Sequence, residues 1–177
     1  MSNLTFENAK TIVFVSFENE FAPCGGLTAV MRMLPRKLAR LYPHKKVILI
    51  SPYFQNIKRT QQATRLNRFA LLKQNISLDY RNQQENFDIL SYPKLSSDAL
   101  NEPSNFTIYL VKSPHFFLAK ENPYVSDRQE SNGRLFLDSL FLSACVPMIL
   151  RNIPRPSPFL INLQDWPFAV LGGTRGT

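Results

Sequence analysis

Two unbroken apolar runs constrain this chain more than any other feature. Thr11 to Phe17 (TIVFVSF) and Lys46 to Ser51 (KVILIS) each have the length and β-branched content of a strand buried on both faces. Between them Leu27, Val30, Met31, Leu34, Leu38 and Leu41 recur at helical spacing, with a kink expected near Pro35. Strand, helix and strand in that order form a βαβ unit, which requires a parallel sheet covered by helices. The turn from strand to helix reads Glu20-Phe-Ala-Pro-Cys-Gly-Gly-Leu27. Gly25 and Gly26 there read either as plain turn chemistry or as a loop whose backbone N–H groups, with the positive helix end, approach an anion.

The remaining elements extend this pattern into one domain. Residues 53–66 are polar and basic and read as a loop, followed by strand candidates at Phe69 to Leu72, Ile76 to Tyr80, Phe87 to Ser91 and Phe106 to Val111. Pro114 and Pro123 bracket an aromatic loop containing His115-Phe-Phe117. A long helix is expected from Asn132 to Leu150, with Arg134 and Asp138 spaced to pair. After a proline-rich connector, Phe159 to Leu163 reads as a strand with Gln164-Asp-Trp166 at its carboxyl end, the edge at which open α/β sheets bind ligands.

Charge is unevenly placed. The chain of 177 residues carries a formal +8, yet no Asp or Glu lies between Phe21 and Leu78, against 11 Lys and Arg. Arg32, Arg36 and Arg40 share a predicted helix face. Residues 32–73 therefore read either as a solvated basic face or as a surface for an anionic partner. Zinc-finger and aromatic RNA-binding patterns are missing. Two cysteines, Cys24 and Cys145, argue against a disulfide framework and a structural zinc, and no metal or cofactor is expected. Without a secretory signal or an unbroken apolar span, a cytoplasmic protein without membrane contact is expected. His115 reads as a packed residue rather than a base, and His44 as a surface residue.

Four segments in order resemble the N-terminal lobe of bacterial glycogen synthases and plant starch synthases, glycosyltransferase family 5. Glu20 to Leu27 with Leu34-Pro35 resembles the family's E-x-A-P…K-x-G-G-L-x-D-V…L-P. The second is Ile108 to Phe117 with Asn122-Pro-Tyr124. Glu130 to Phe136 resembles D-N-x-x-R-F, and Ile161 to Trp166 resembles I-H-x-H-D-W. The resemblance implies a Rossmann-like open parallel sheet, the N-terminal lobe of a two-lobed GT-B fold, over residues 1–171 with a flexible tail at 172–177. It implies transfer of glucose from ADP-glucose to an α-1,4-glucan in glycogen biosynthesis. Gln164 and Asp165 would stand at the catalytic motif, and Gly25, Gly26, Phe117, Glu130 and Trp166 at the substrate.

Several positions depart from the family pattern. The motif lysine is replaced by Pro23, the aspartate by Ala29, the histidine before Asp165 by Gln164, a tyrosine by Phe117, and an aspartate by Glu130. The chain also ends where the family continues into the rest of this lobe and then into a second one, so the resemblance implies a lobe incomplete at its C-terminus. The resemblance thus implies a lobe inactive alone, completed by a separate C-terminal lobe or a homo-oligomer. The alternatives are a noncatalytic glucan- or protein-binding module and a polyanion-binding domain. A last strand at Phe159 to Leu163 would lie at a sheet edge and invite association.

Overall fold

A computed structural model of the chain describes residues 5–93, 102–124, 131–155 and 157–164. Its elements run β1 (Thr11–Ser16), α1 (Gly26–Leu41), β2 (Lys46–Pro52), α2 (Lys58–Arg65), β3 (Ala70–Tyr80), β4 (Gln83–Tyr92), β5 (Phe106–Lys112), α3 (Ser131–Asn152) and β6 (Phe159–Gln164). The strands form one six-stranded sheet in the order β3-β4-β5-β2-β1-β6. As the apolar runs required, β5, β2, β1 and β6 are parallel neighbours.

The sheet is not parallel throughout, which corrects the sequence expectation. β4 runs antiparallel to β5, and β3 antiparallel to β4. The cause is a two-residue turn, Arg81-Asn82, with both residues at positive φ (52° and 62°), the twist that closes a tight hairpin. Arg-Asn lacks the glycine that usually marks such a turn. β3 is also one strand rather than two, broken in register between Lys73 and Ile76 around Asn75 at φ 53°. Residues 58–65, expected as loop, form α2. Its sequence KRTQQATR buries only Thr60 and Ala63, too little apolar surface to show a stripe.

Strand alternation divides the core into two layers. Val13, Val15, Ile48 and Ile50 face α3, whose Phe141, Leu142, Cys145 and Ile149 are fully buried against them. Ile12, Phe14, Val47 and Leu49 face α1, meeting Met31 and Ala39. Over Arg134–Asn152, α3 is long and apolar enough to cross a membrane by length and composition, with mean hydropathy 1.4; half of that stretch is buried within the fold.

Part of the basic field is turned inward. Arg36 lies 2.7 Å from both Glu20 and Glu102, with side chains of all three at most 15% exposed. Lys45 is 4% exposed and donates from Nζ to the carbonyls of Phe6, Glu7 and Ala9 at 2.6 to 3.0 Å. Arg36 therefore ties α1 to the segment before β5, and Lys45 fastens the residues before β1. Arg32, Lys37 and Arg40 on α1 stay exposed.

Candidate functional site

Between β1 and β6 the chain order reverses: β1 is followed through α1 by β2 on one side, while β5 crosses through α3 to β6 on the other. Strand ends part at such a switch point, leaving a crevice at their carboxyl edge. Ser16 pairs with Gln164 at this edge, so the end of β1, from which the chain leads into the glycine turn, lies beside Gln164 at the end of β6. Gln164 donates from its side-chain amide to Asn162 on the same strand face. Asp165, Trp166 and Glu130 lie outside the described residues, as does the tail at 172–177.

The glycine turn is built around a buried carboxylate that sequence reasoning missed. Glu18, 4% exposed, accepts from the backbone N–H of Gly25 at 2.9 Å and of Thr28 at 3.1 Å, and from the Thr28 hydroxyl. Thr28 Oγ1 in turn accepts from the Cys24 N–H at 3.1 Å. Gly25 is the N-cap of α1 and Thr28 sits in its first turn, so the negative charge fills the positive end of the helix. Burial works to raise the Glu18 pKa. Hydrogen bonds from Thr28, Gly25 and Tyr124 outweigh it together and hold the carboxyl below its ordinary value. The Cys24 thiol, at a position where a bare helix end would activate it, is pushed up by burial and by the Glu18 charge.

Neither glycine is demanded by the chain's own geometry. Gly25 has an extended backbone (φ −152°), and a Cβ there would meet only Glu18 Oε1 at 3.9 Å. A Cβ on Gly26 would meet nothing within 4 Å. Asn19, buried, fixes the preceding loop: its Nδ2 donates to Ser51 Oγ at 2.7 Å and the Pro52 carbonyl at 3.0 Å, and its Oδ1 accepts from the N–H groups of Phe21 and Ala22. An isolated Asn carries no spacing signal by which the sequence would reveal this role.

The aromatic loop after β5 lies on the same edge and differs from expectation. Phe117, read as a substrate-binding position, has a fully buried ring packed against Phe17 and Phe54 at 6.3 and 5.9 Å between centroids. His115, read as packed, is the one that projects: its side chain is 69% exposed. Its Nδ1 lies 2.9 Å from Glu85 Oε2 on β4. The helix pair expected from spacing is present, with Arg134 Nε 3.2 Å from Asp138 Oδ1. Asp138 Oδ2 accepts from the Phe117 N–H at 3.2 Å, and Arg134 donates to the His115 carbonyl. Burial pushes the Asp138 carboxyl up to about 6 against the opposing pull of Arg134.

A groove of about 550 Å³ lies away from the switch point, between Tyr80 and Arg81 of the hairpin and Phe136, Leu137 and Leu140 of α3. Among the described residues no cluster of three or more His, Cys, Asp or Glu side chains has the placement to hold a metal ion.

Comparison with known proteins agrees with this geometry. The sequence model of the family described as "Starch synthase catalytic domain" matches residues 11–174. Among solved structures, the chain is similar to the catalytic domain of Starch Synthase IV from Arabidopsis thaliana bound to ADP and acarbose. The TM-score is 0.64 at 16% identity, a likeness of fold, covering 93% of this chain and 29% of that one. No curated protein sequence matches the chain.

Proposed function

The chain belongs to the starch synthase catalytic domain family, and on that premise we propose that it is a glucan-binding lobe, the acceptor side of an ADP-glucose:α-1,4-glucan glucosyltransferase. A retaining transfer needs the donor diphosphate and the reacting carbon held between two lobes, of which these residues form part of one. This chain spans 29% of the length of the solved starch synthase it resembles.

The observation that carries this reading is the Glu18 carboxylate at the N-terminus of α1. A diphosphate approaching Gly25 and Gly26 meets a negative charge already seated on the helix end, and Pro23, where the family motif has a lysine, supplies no cation to offset it. A neutral polyol has no such conflict. The solved relative is named as bound to ADP and acarbose; on our reading this lobe takes the second kind of ligand.

Two measurements test the reading. Glycogen co-sedimentation should carry the chain into the pellet, and titration with ADP or ADP-glucose should give no heat and no amide shift at Gly25 or Gly26. Nucleotide binding without glucan binding would overturn it.

A further inference from the structure

The apolar surface of α1 is wider than the sheet beneath it covers. Of the apolar residues that share its helical spacing, Met31 is fully buried, and Leu27 and Leu38 pack against the layer that holds Phe14 and Leu49. Val30, Leu34 and Leu41 stay outside together with Met33, each between 37% and 66% exposed. Nine large apolar side chains are exposed among the described residues, and four of them stand on this one helix. A helix that is apolar beyond its core-facing stripe has a second surface to bury.

Spacing and charge together define what fits there. Val30, Met33, Leu34, Lys37 and Leu41 fall at i, i+3, i+4, i+7 and i+11, a stripe along one side of a helix of 16 residues. Ridges so spaced receive the side chains of another helix. The charges on this side are all positive: Lys37 stands within the stripe, Arg40 is exposed beside it, and no Asp or Glu occurs between Phe21 and Leu78. Arg36 is turned inward to Glu20 and Glu102 and takes no part. A carboxylate facing Lys37 is therefore the complement. No helix of a second copy offers one, since α1 and α2 contain no acidic residue and the single acid of α3, Asp138, is buried. A nucleic acid would match the cations but leave four apolar side chains uncovered.

We propose that the outer side of α1 is a docking surface for an acidic amphipathic helix of another polypeptide. The partner's apolar residues lie against Val30, Met33, Leu34 and Leu41, and its Asp or Glu side chains face Lys37. The proposal is independent of the glucan-binding reading and stands or falls without it.

The test uses the full chain and a synthetic peptide about three heptads long, with Leu at the a and d positions and Glu at the flanking e and g positions, so that it does not pair with itself. The peptide should bind with an affinity that falls several-fold as salt is raised, and should move the Met33 methyl resonance and the amides of Val30, Leu34 and Leu41. Met33→Ser should weaken binding about tenfold with an unchanged melting temperature, as the loss of one side chain from an interface does. Lys37→Glu should reject this peptide and accept its counterpart with Lys in place of Glu, while Lys58→Glu on α2 should bind as the wild type does. Equal binding of both peptides by the wild type, shifts confined to another face, or no binding at all would overturn the proposal. Binding to vesicles of phosphatidylglycerol and phosphatidylcholine that Met33→Ser abolishes, with no response to the peptide, would also overturn it and reassign the surface to lipid.

Discussion

Glu18 Oε2 accepts the Gly25 N–H at 2.9 Å, and this contact changes what the glycine turn can do. An internal carboxylate occupies the N–H groups of Gly25 and Thr28 at the start of α1. The same contact makes Glu18 a stability element. Its pKa is held below the ordinary 4.5, so the stabilisation is complete above that value and is lost as pH falls through the folded-state pKa. Glu18→Ala should destabilise the fold by about 1 to 2 kcal/mol at pH 7, as removal of a helix cap does. In urea unfolding, the gap between variant and wild type should close below about pH 4; a gap independent of pH would argue against the charged cap.

Asp138 should show the opposite sign. Its carboxyl titrates near 6 in the folded chain against an ordinary 3.8, so the folded state holds the proton more tightly. Stability should therefore decline as pH rises from about 4 to 6, by an amount on the order of 2 to 3 kcal/mol. Asp138→Asn keeps an acceptor for the Phe117 N–H and should remove this decline. Melting curves of both proteins at pH 4 and pH 7 decide it: parallel behaviour would count against a raised Asp138.

Gly26→Ala should be tolerated or stabilising by about 0.5 kcal/mol, since alanine favours helix and its Cβ meets nothing within 4 Å. Calorimetric melting checks this. A loss above about 1 kcal/mol would mean that the turn needs its glycine after all.

Arg36 is shared by Glu20 and Glu102, and burial raises the Glu20 pKa despite the guanidinium. Truncation by Arg36→Ala would leave two buried carboxylates without their counterion, a loss of roughly 3 to 5 kcal/mol. Arg36→Met with Glu20→Gln and Glu102→Gln should recover much of it. A single substitution costing under about 1 kcal/mol would show the triad to be solvated.

Among the described residues β6 forms one edge of the sheet, pairing only with β1, and Ile161 on it is 39% exposed. Unpaired edge groups beside apolar surface favour association. The chain should sediment as a concentration-dependent oligomer, and Ile161→Lys should shift it to monomer. A monomer at all concentrations would set this aside.

What the sequence determined alone was whatever depends on short periodicities. Continuous apolar runs announced β1, β2 and β5, helical spacing announced α1 and α3, and four motifs in order identified the family before any contact was known. Elements with little buried surface escaped it: α2 commits two small residues to the core, and the Arg81-Asn82 turn lacks a glycine, so the antiparallel pair at the sheet edge went unread. Tertiary structure decided the rest, because side-chain orientation and long-range pairing are not written in spacing. It turned Phe117 inward and His115 outward, drew Arg36 and Lys45 out of the basic surface, and placed Glu18 on the helix end. The glycine pair was visible from the start; its occupant depended on the loop after β1 folding back seven residues to meet it.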